Sequence, residues 1–226
     1  MGEIVEFPSN GQTASGYLAT PDGATRVPLV VIQEWWGLVP HIKDVCDRFA
    51  AEGFVALAPD LFRGETATEP DEAGKYMMAL NLEQAARDMS GAVDKVAEVA
   101  GRDRVGVTGF CMGGGLALML AAHRPDKVKA VVPWYGLIPW PDAEPDWSRL
   151  DAAVLGHYGE KDAFFGPESV AELDAKLKDL GKEVDLRVIP DAEHAFFNDT
   201  RPEVHHPEAA EVCFADTVRF FHERLG

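Results

Sequence analysis

Residues Arg104-Val105-Gly106-Val107-Thr108-Gly109-Phe110-Cys111-Met112-Gly113 form a short apolar run that ends in a cysteine framed by two glycines, G-x-C-x-G. Small residues on both sides of the central position let the chain turn sharply without a Cβ clash. A strand running into such a turn and a helix leaving it hold the central side chain above the sheet edge. Leu116 to His123 continues as that helix. Its start offers backbone N–H groups and a partial positive charge, both of which favour a thiolate or an oxyanion. The turn predicts nucleophilic hydrolysis at Cys111.

Outward from this turn, strand and helix patterns alternate. Toward the N-terminus, Pro28 to Gln33 is an apolar run of the kind buried on both faces, His41 to Ala51 has helical spacing, and Gly53 to Ala58 is another buried strand. Residues 60 to 72 are rich in Gly, Thr, Glu and Pro and read as a long loop or lid segment; about Asp71 to Ala100 reads as helix in two pieces. Toward the C-terminus come strands at Val128 to Tyr135, Ala152 to Tyr158 and Val184 to Ile189. A Pro/Trp-rich excursion, Leu137 to Trp147, interrupts them, as does a helix at Pro167 to Leu180. Pro207 to Leu225 closes the chain as an amphipathic helix. The first residues differ: Glu3 to Phe7 and Thr13 to Ala19 flank a Ser-Asn-Gly turn and read as a hairpin. The pattern predicts an α/β fold, a mostly parallel sheet with an N-terminal antiparallel hairpin and helices on both faces. No linker or repeat divides it, so residues 1–226 read as one domain.

Composition narrows the partners. At 46% hydrophobic and 26% charged residues the chain has the make-up of a globular domain, and a formal charge of −17 disfavours nucleic acid and anionic membrane alike. Three cysteines, Cys46, Cys111 and Cys213, are an odd number widely spaced, which points to reduced thiols and a cytoplasmic setting. No signal peptide is seen at the N-terminus. A monomer or dimer acting on a small molecule is expected, with no cofactor.

In a parallel sheet, functional groups collect beyond the carboxyl ends of the strands. Glu34, Cys111, Asp162 and His194 all fall there. In this reading Cys111 is the nucleophile, His194 the base that takes and returns its proton, and Asp162 the carboxylate that fixes the imidazole. The order nucleophile, acid, histidine matches that of a strand-end hydrolase site. The N–H of Met112 is one candidate oxyanion donor, and that of Trp35, in the loop after Gln33, is the other. Glu160 and Asp191 compete with Asp162; His157, His205 and His206 compete with His194. No Cys or carboxylate stands at ligand spacing around His205-His206, so no metal site is expected. Trp36, Trp134, Tyr135, Phe196 and Asn198 are candidate pocket residues, with Trp35 and Trp140 nearby. Cys46 and Cys213 sit in helical patterns and read as core.

Together, Gln33-Glu34-Trp35-Trp36-Gly37, Gly109-Phe110-Cys111-Met112-Gly113-Gly114-Gly115, Asp162 and His194 resemble the dienelactone hydrolase family of α/β hydrolases, over nearly the whole chain. The resemblance implies the α/β-hydrolase fold and hydrolysis of carboxylic esters, typically an unsaturated lactone. It also implies that Glu34 pairs with the resting thiol and helps control its ionisation. Two departures stand out. The family's lactone enzymes hold a substrate carboxylate with two arginines, at positions occupied here by Pro70 and Asn198, while Arg63 and Arg201 lie off those positions. Ala195 follows the histidine where serine is common. The expected function is therefore a cysteine-dependent hydrolase of small activated esters or lactones, with substrate other than dienelactone itself. Competing readings are phosphotriester hydrolysis by the same thiolate, a non-catalytic small-molecule receptor, and a thiol redox protein; the last is weakened by the lack of a C-x-x-C motif.

Overall fold

The computed structural model describes residues 2–226. One eight-stranded sheet runs through it in the order β1-β2-β4-β3-β5-β6-β7-β8. The strands are β1 (Glu3–Ser9), β2 (Gln12–Ala19), β3 (Val27–Ile32), β4 (Phe54–Pro59), β5 (Val105–Phe110), β6 (Val128–Trp134), β7 (Ala153–Gly159) and β8 (Val184–Ile189). β1 and β2 form the expected antiparallel hairpin; Asn10 and Gly11 close it at φ 44° and 85°, as a two-residue turn matched to strand twist requires. β2 is antiparallel to β4, and from β4 across to β8 neighbouring strands are parallel.

The helices are α1 (Pro40–Ala51), α2 (Pro70–Ala79), α3 (Leu82–Ala100), α4 (Met112–His123), α5 (Pro167–Asp179) and α6 (Pro207–Leu225). Four of them open on proline at the first turn, where a missing N–H costs nothing. α3 has a side-chain cap from Asn81 and ends on Gly101 in the left-handed conformation. Alternation along the central strands divides the apolar residues between two cores. Val30, Ile32, Val105 and Val107 pack with α3, α4 and Leu177 of α5. Leu29, Val31, Ala130 and Val132 pack with Ile42, Val45 and Phe49 of α1 and Phe221 of α6. No helix among the described residues is long and apolar enough to cross a membrane.

Two departures from the sequence reading bear on the site. β5 runs to Phe110, two residues beyond the expected end, because Gly109 and Phe110 still pair with Pro133 and Trp134 of β6. Cys111 is therefore the first residue off the strand. Residues 60–69 lack regular structure, as expected, but are fastened: Leu61, Phe62 and Ala67 are buried, and Thr66 bridges to Gly37. The segment is held against the sheet edge and does not have the character of a free lid.

Candidate functional site

Cys111 adopts φ 55°, ψ −119°, outside the regions open to most residues with a side chain. Such a conformation costs about 1–3 kcal/mol and persists only where the surroundings determine it. Here the Cys111 N–H donates to the Trp134 carbonyl at 3.0 Å and the Gly114 N–H donates to the Cys111 carbonyl at 2.9 Å. The flanking glycines are required by approach. A Cβ on Gly109 would lie 2.0 Å from the Gly113 carbonyl oxygen, and one on Gly113 would lie 2.4 Å from that of Ile32. The result is a thiol raised over the start of α4, partly exposed, while Cys46 and Cys213 are buried. Burial pushes the Cys213 thiol up to about 12 and that of Cys46 higher still. Neither is poised as a nucleophile.

Asp162 and His194 come from the turns after β7 and β8. The two turns are tied together by the Glu160 N–H to the Ile189 carbonyl and the Lys161 N–H to the Ala192 carbonyl, both 2.9 Å. Asp162 Oδ2 lies 2.8 Å from His194 Nδ1, so the ring donates there and is fixed in one tautomer. Oδ1 accepts from the Phe164 and Phe165 N–H groups at 2.7 and 2.9 Å. Burial alone would raise the Asp162 carboxyl, yet the His194 bond and these N–H donors hold it below the usual carboxylate range. Burial likewise works to lower the imidazole, but its bond to Asp162 and the influence of the neighbouring Cys111 prevail and carry it up to about 10. Rings of Phe164, Tyr135 and Phe165 surround His194 at centroid distances of 4.9, 5.3 and 6.2 Å. Four of the five competing candidates are otherwise engaged. Glu160 accepts from the Asp191 N–H, Asp191 pairs with Lys161, His157 is buried against Thr217, and His206 caps α6.

Glu34 is 1% exposed at the end of β3. Its carboxylate accepts from the Tyr135 hydroxyl at 3.2 Å and from Asn198 Nδ2 at 2.9 Å. Burial and the neighbouring Glu34 charge hold the Tyr135 phenol well above its ordinary range, so it stays a donor. Asn198 Oδ1 in turn accepts from the Thr200 N–H and hydroxyl. A carboxyl group out of water needs such partners, because a buried polar group left without hydrogen bonds is strongly disfavoured. Asn198→Ala is therefore expected to lower stability by about 2 kcal/mol. Urea unfolding checks this; unchanged stability would mean Glu34 finds another donor.

A cavity of about 540 Å³ opens over Cys111 and His194. Trp35, Trp36, Met77, Pro139, Phe164 and Phe165 give it a largely apolar lining. Trp36 lines this cavity, whereas four other residues expected to line it do not. Trp134, Tyr135 and Phe196 are wholly buried: Trp134 packs among Phe110, His157 and Phe197, and Phe196 against Trp134 and Tyr135. Asn198, 2% exposed, faces Glu34 and not the cavity. Aromatic composition does not tell a strand end's inward side from its open side, and here the core took three of the rings. Met77, Pro139, Phe164 and Phe165 were missed; they lie on α2 and on loops where no residue type or spacing marks them. Arg201, off the position occupied by the family's arginine, does line the cavity, with Glu203 at 2.9 Å from its Nε. Arg63 does not; it pairs with Asp88. The Met112 and Trp35 N–H groups have no hydrogen-bond partner among the described residues.

Strand order, elbow and the placement of side chains at the carboxyl edge define an α/β hydrolase. The sequence profile described as "Dienelactone hydrolase family" matches residues 14–225. This chain belongs to the dienelactone hydrolase family and with it is an enzyme of ester or lactone hydrolysis. Among similar proteins, "Protein usf" of Aquifex pyrophilus is 38% identical, with all of both chains covered. A "Putative carboxymethylenebutenolidase" of Aquifex aeolicus is 36% identical over 98% of each chain. A crystal structure of a "Putative Dienelactone Hydrolase" from Klebsiella pneumoniae superposes with a TM-score of 0.88 at 30% identity, covering 98% of each chain.

Proposed function

We propose that this hydrolase cleaves small activated carboxylic esters or lactones through a covalent acyl-enzyme on Cys111. The observation that carries the reading is the Asp162–His194 bond of 2.8 Å in a cavity that His194 and Cys111 both line. With Nδ1 committed to Asp162, Nε2 is the ring atom available to exchange a proton with sulfur. The Cys111 thiolate attacks the acyl carbon, and the carbonyl π electrons move onto oxygen. The N–H groups of Met112 and Trp35 receive that oxyanion. On collapse the carbon–oxygen ester bond breaks, and the imidazolium gives its proton to the departing alkoxide. In a lactone the alcohol stays tethered to the acyl group. Water, losing a proton to His194, then attacks the thioester; the acid departs and sulfur returns to its resting state.

The cavity lining supports an apolar or aromatic substrate of modest size. Arg201 and His194 are the only basic side chains among its described lining residues, and Arg201 is already paired with Glu203. A neutral activated ester therefore fits better than one relying on a pair of arginines. The test is pre-steady-state hydrolysis of p-nitrophenyl acetate. A burst of about one equivalent of nitrophenol per chain is expected, with a matching acetyl mass on the Cys111 peptide. A linear time course with no adduct at Cys111 would defeat the covalent reading, and a burst would dispose of a non-catalytic receptor.

A further inference from the structure

We propose that the Arg63–Asp88 ion pair is a positioning device for turnover, fastening the 60–67 loop that brackets Trp35. This rests on the reading above, in which the Trp35 N–H receives the oxyanion. The loop grips the 33–37 segment at both ends. The Leu61 N–H donates to Gln33 Oε1 at 3.2 Å on one side of Trp35. On the other, the Ala67 N–H donates to the Trp36 carbonyl at 3.0 Å, and Thr66 bridges to Gly37. Trp35 stands between these two attachments, with its own N–H unpaired among the described residues. Its direction is therefore set by how rigidly the 60–67 loop is held.

Besides its buried side chains, two polar features shape and tether that loop. Asp60 accepts from the Phe62 and Gly64 N–H groups at 3.1 and 2.6 Å, closing a tight turn. Arg63, at the turn's tip, has φ 53°, a left-handed conformation unfavourable for a residue with a Cβ. Its guanidinium reaches α3 and donates to Asp88 Oδ2 at 3.1 Å. Asp88 is 2% exposed, and its other oxygen accepts from Ser9 and Gln84. The anchor is thus a buried carboxylate fixed by Ser9 of β1 and by Gln84 on its own helix, while Arg63 is itself half-exposed and does not line the cavity. Without Arg63, Asp88 keeps two donors, so the loop can slacken while the fold stands.

The test uses the full chain and the Arg63→Ala and Arg63→Lys variants. Each is assayed on a p-nitrophenyl ester, and its affinity is measured for a trifluoromethyl ketone, to which the thiolate adds to give a bound oxyanion. For Arg63→Ala, kcat is expected to fall by about tenfold or more, since small misplacements of a reacting group have effects of this size. Ketone affinity should fall by the same factor, with KM within about twofold and thermal unfolding still cooperative. Arg63→Lys should recover most of both losses. Unchanged kcat would overturn the proposal, as would a loss that merely follows the unfolded fraction. Cys111→Ala separates the two levels: if it keeps its activity, the covalent reading fails and takes this proposal with it. If it is inactive while Arg63→Ala is normal, only the positioning role fails.

Discussion

Cys111→Ala is expected to reduce ester turnover by on the order of 10⁴-fold or more, the scale on which removing a covalent nucleophile acts. What remains would come from binding and from the Met112 and Trp35 N–H groups, which the substitution leaves in place. The fold should tolerate it, because alanine is smaller than cysteine and the site is partly open. Backbone bonds to Trp134 and Gly114 hold the turn whichever side chain it carries. Cys111→Ser keeps a nucleophilic atom yet should lose most activity, since an imidazole raised to about 10 is suited to a thiolate partner and much less to a hydroxyl. Steady-state assays and denaturation of the same preparations settle it: full turnover by a folded Cys111→Ala protein is incompatible with the mechanism.

Asp162→Asn should have the second-largest effect, a loss of between about 10² and 10⁴ in kcat, because an amide can present its N–H to Nδ1 and stabilise the wrong tautomer. It should also move the pH profile. In the native chain His194 keeps its proton up to about 10, so kcat/KM should fall on an alkaline limb in that region as the leaving group loses its acid. Without the Asp162 charge that limb should shift toward neutrality. Stability follows the same couple with definite signs. The raised His194 value contributes stability fully present below the unfolded value of about 6.5 and lost as pH climbs through about 10. The depressed Asp162 value contributes stability present above about 3.9 and lost as pH falls through its folded value. Their joint contribution is greatest between about pH 4 and 6.5, and Asp162→Asn should flatten it. A pH–rate profile identical to that of the native chain would show that the carboxylate does not govern the ring.

The strand ends were legible in the sequence because buried parallel strands are continuous apolar runs and must stop where polar chemistry begins. Cys111, Asp162, His194 and Glu34 could be picked out on that ground, and the structure brings the first three together and sets Glu34 nearby. The cavity walls could not be picked out in the same way. Trp134, Tyr135 and Phe196 follow or end strands just as Trp36 does, and only packing among themselves and against Phe110 and Phe197 decides that they turn inward. Asn198 could not be read as the partner of Glu34, 164 positions away, because nothing local to either records the pairing. The 60–67 loop has the composition of a mobile segment; what fastens it are long-range contacts, the burial of Leu61, Phe62 and Ala67 and bonds to Gln33, Gly37 and Asp88.

Phe164 and Phe165 hold Asp162 through their main-chain N–H groups while their rings form part of the cavity wall. The two duties reside in different atoms of the same residues. Exchanging either ring for another side chain alters what the wall will admit, and the bonds that steady the carboxylate persist regardless. A lineage can therefore try new substrates by drift at these two positions without first surrendering its chemistry, and directed evolution of this enzyme has its natural starting point there.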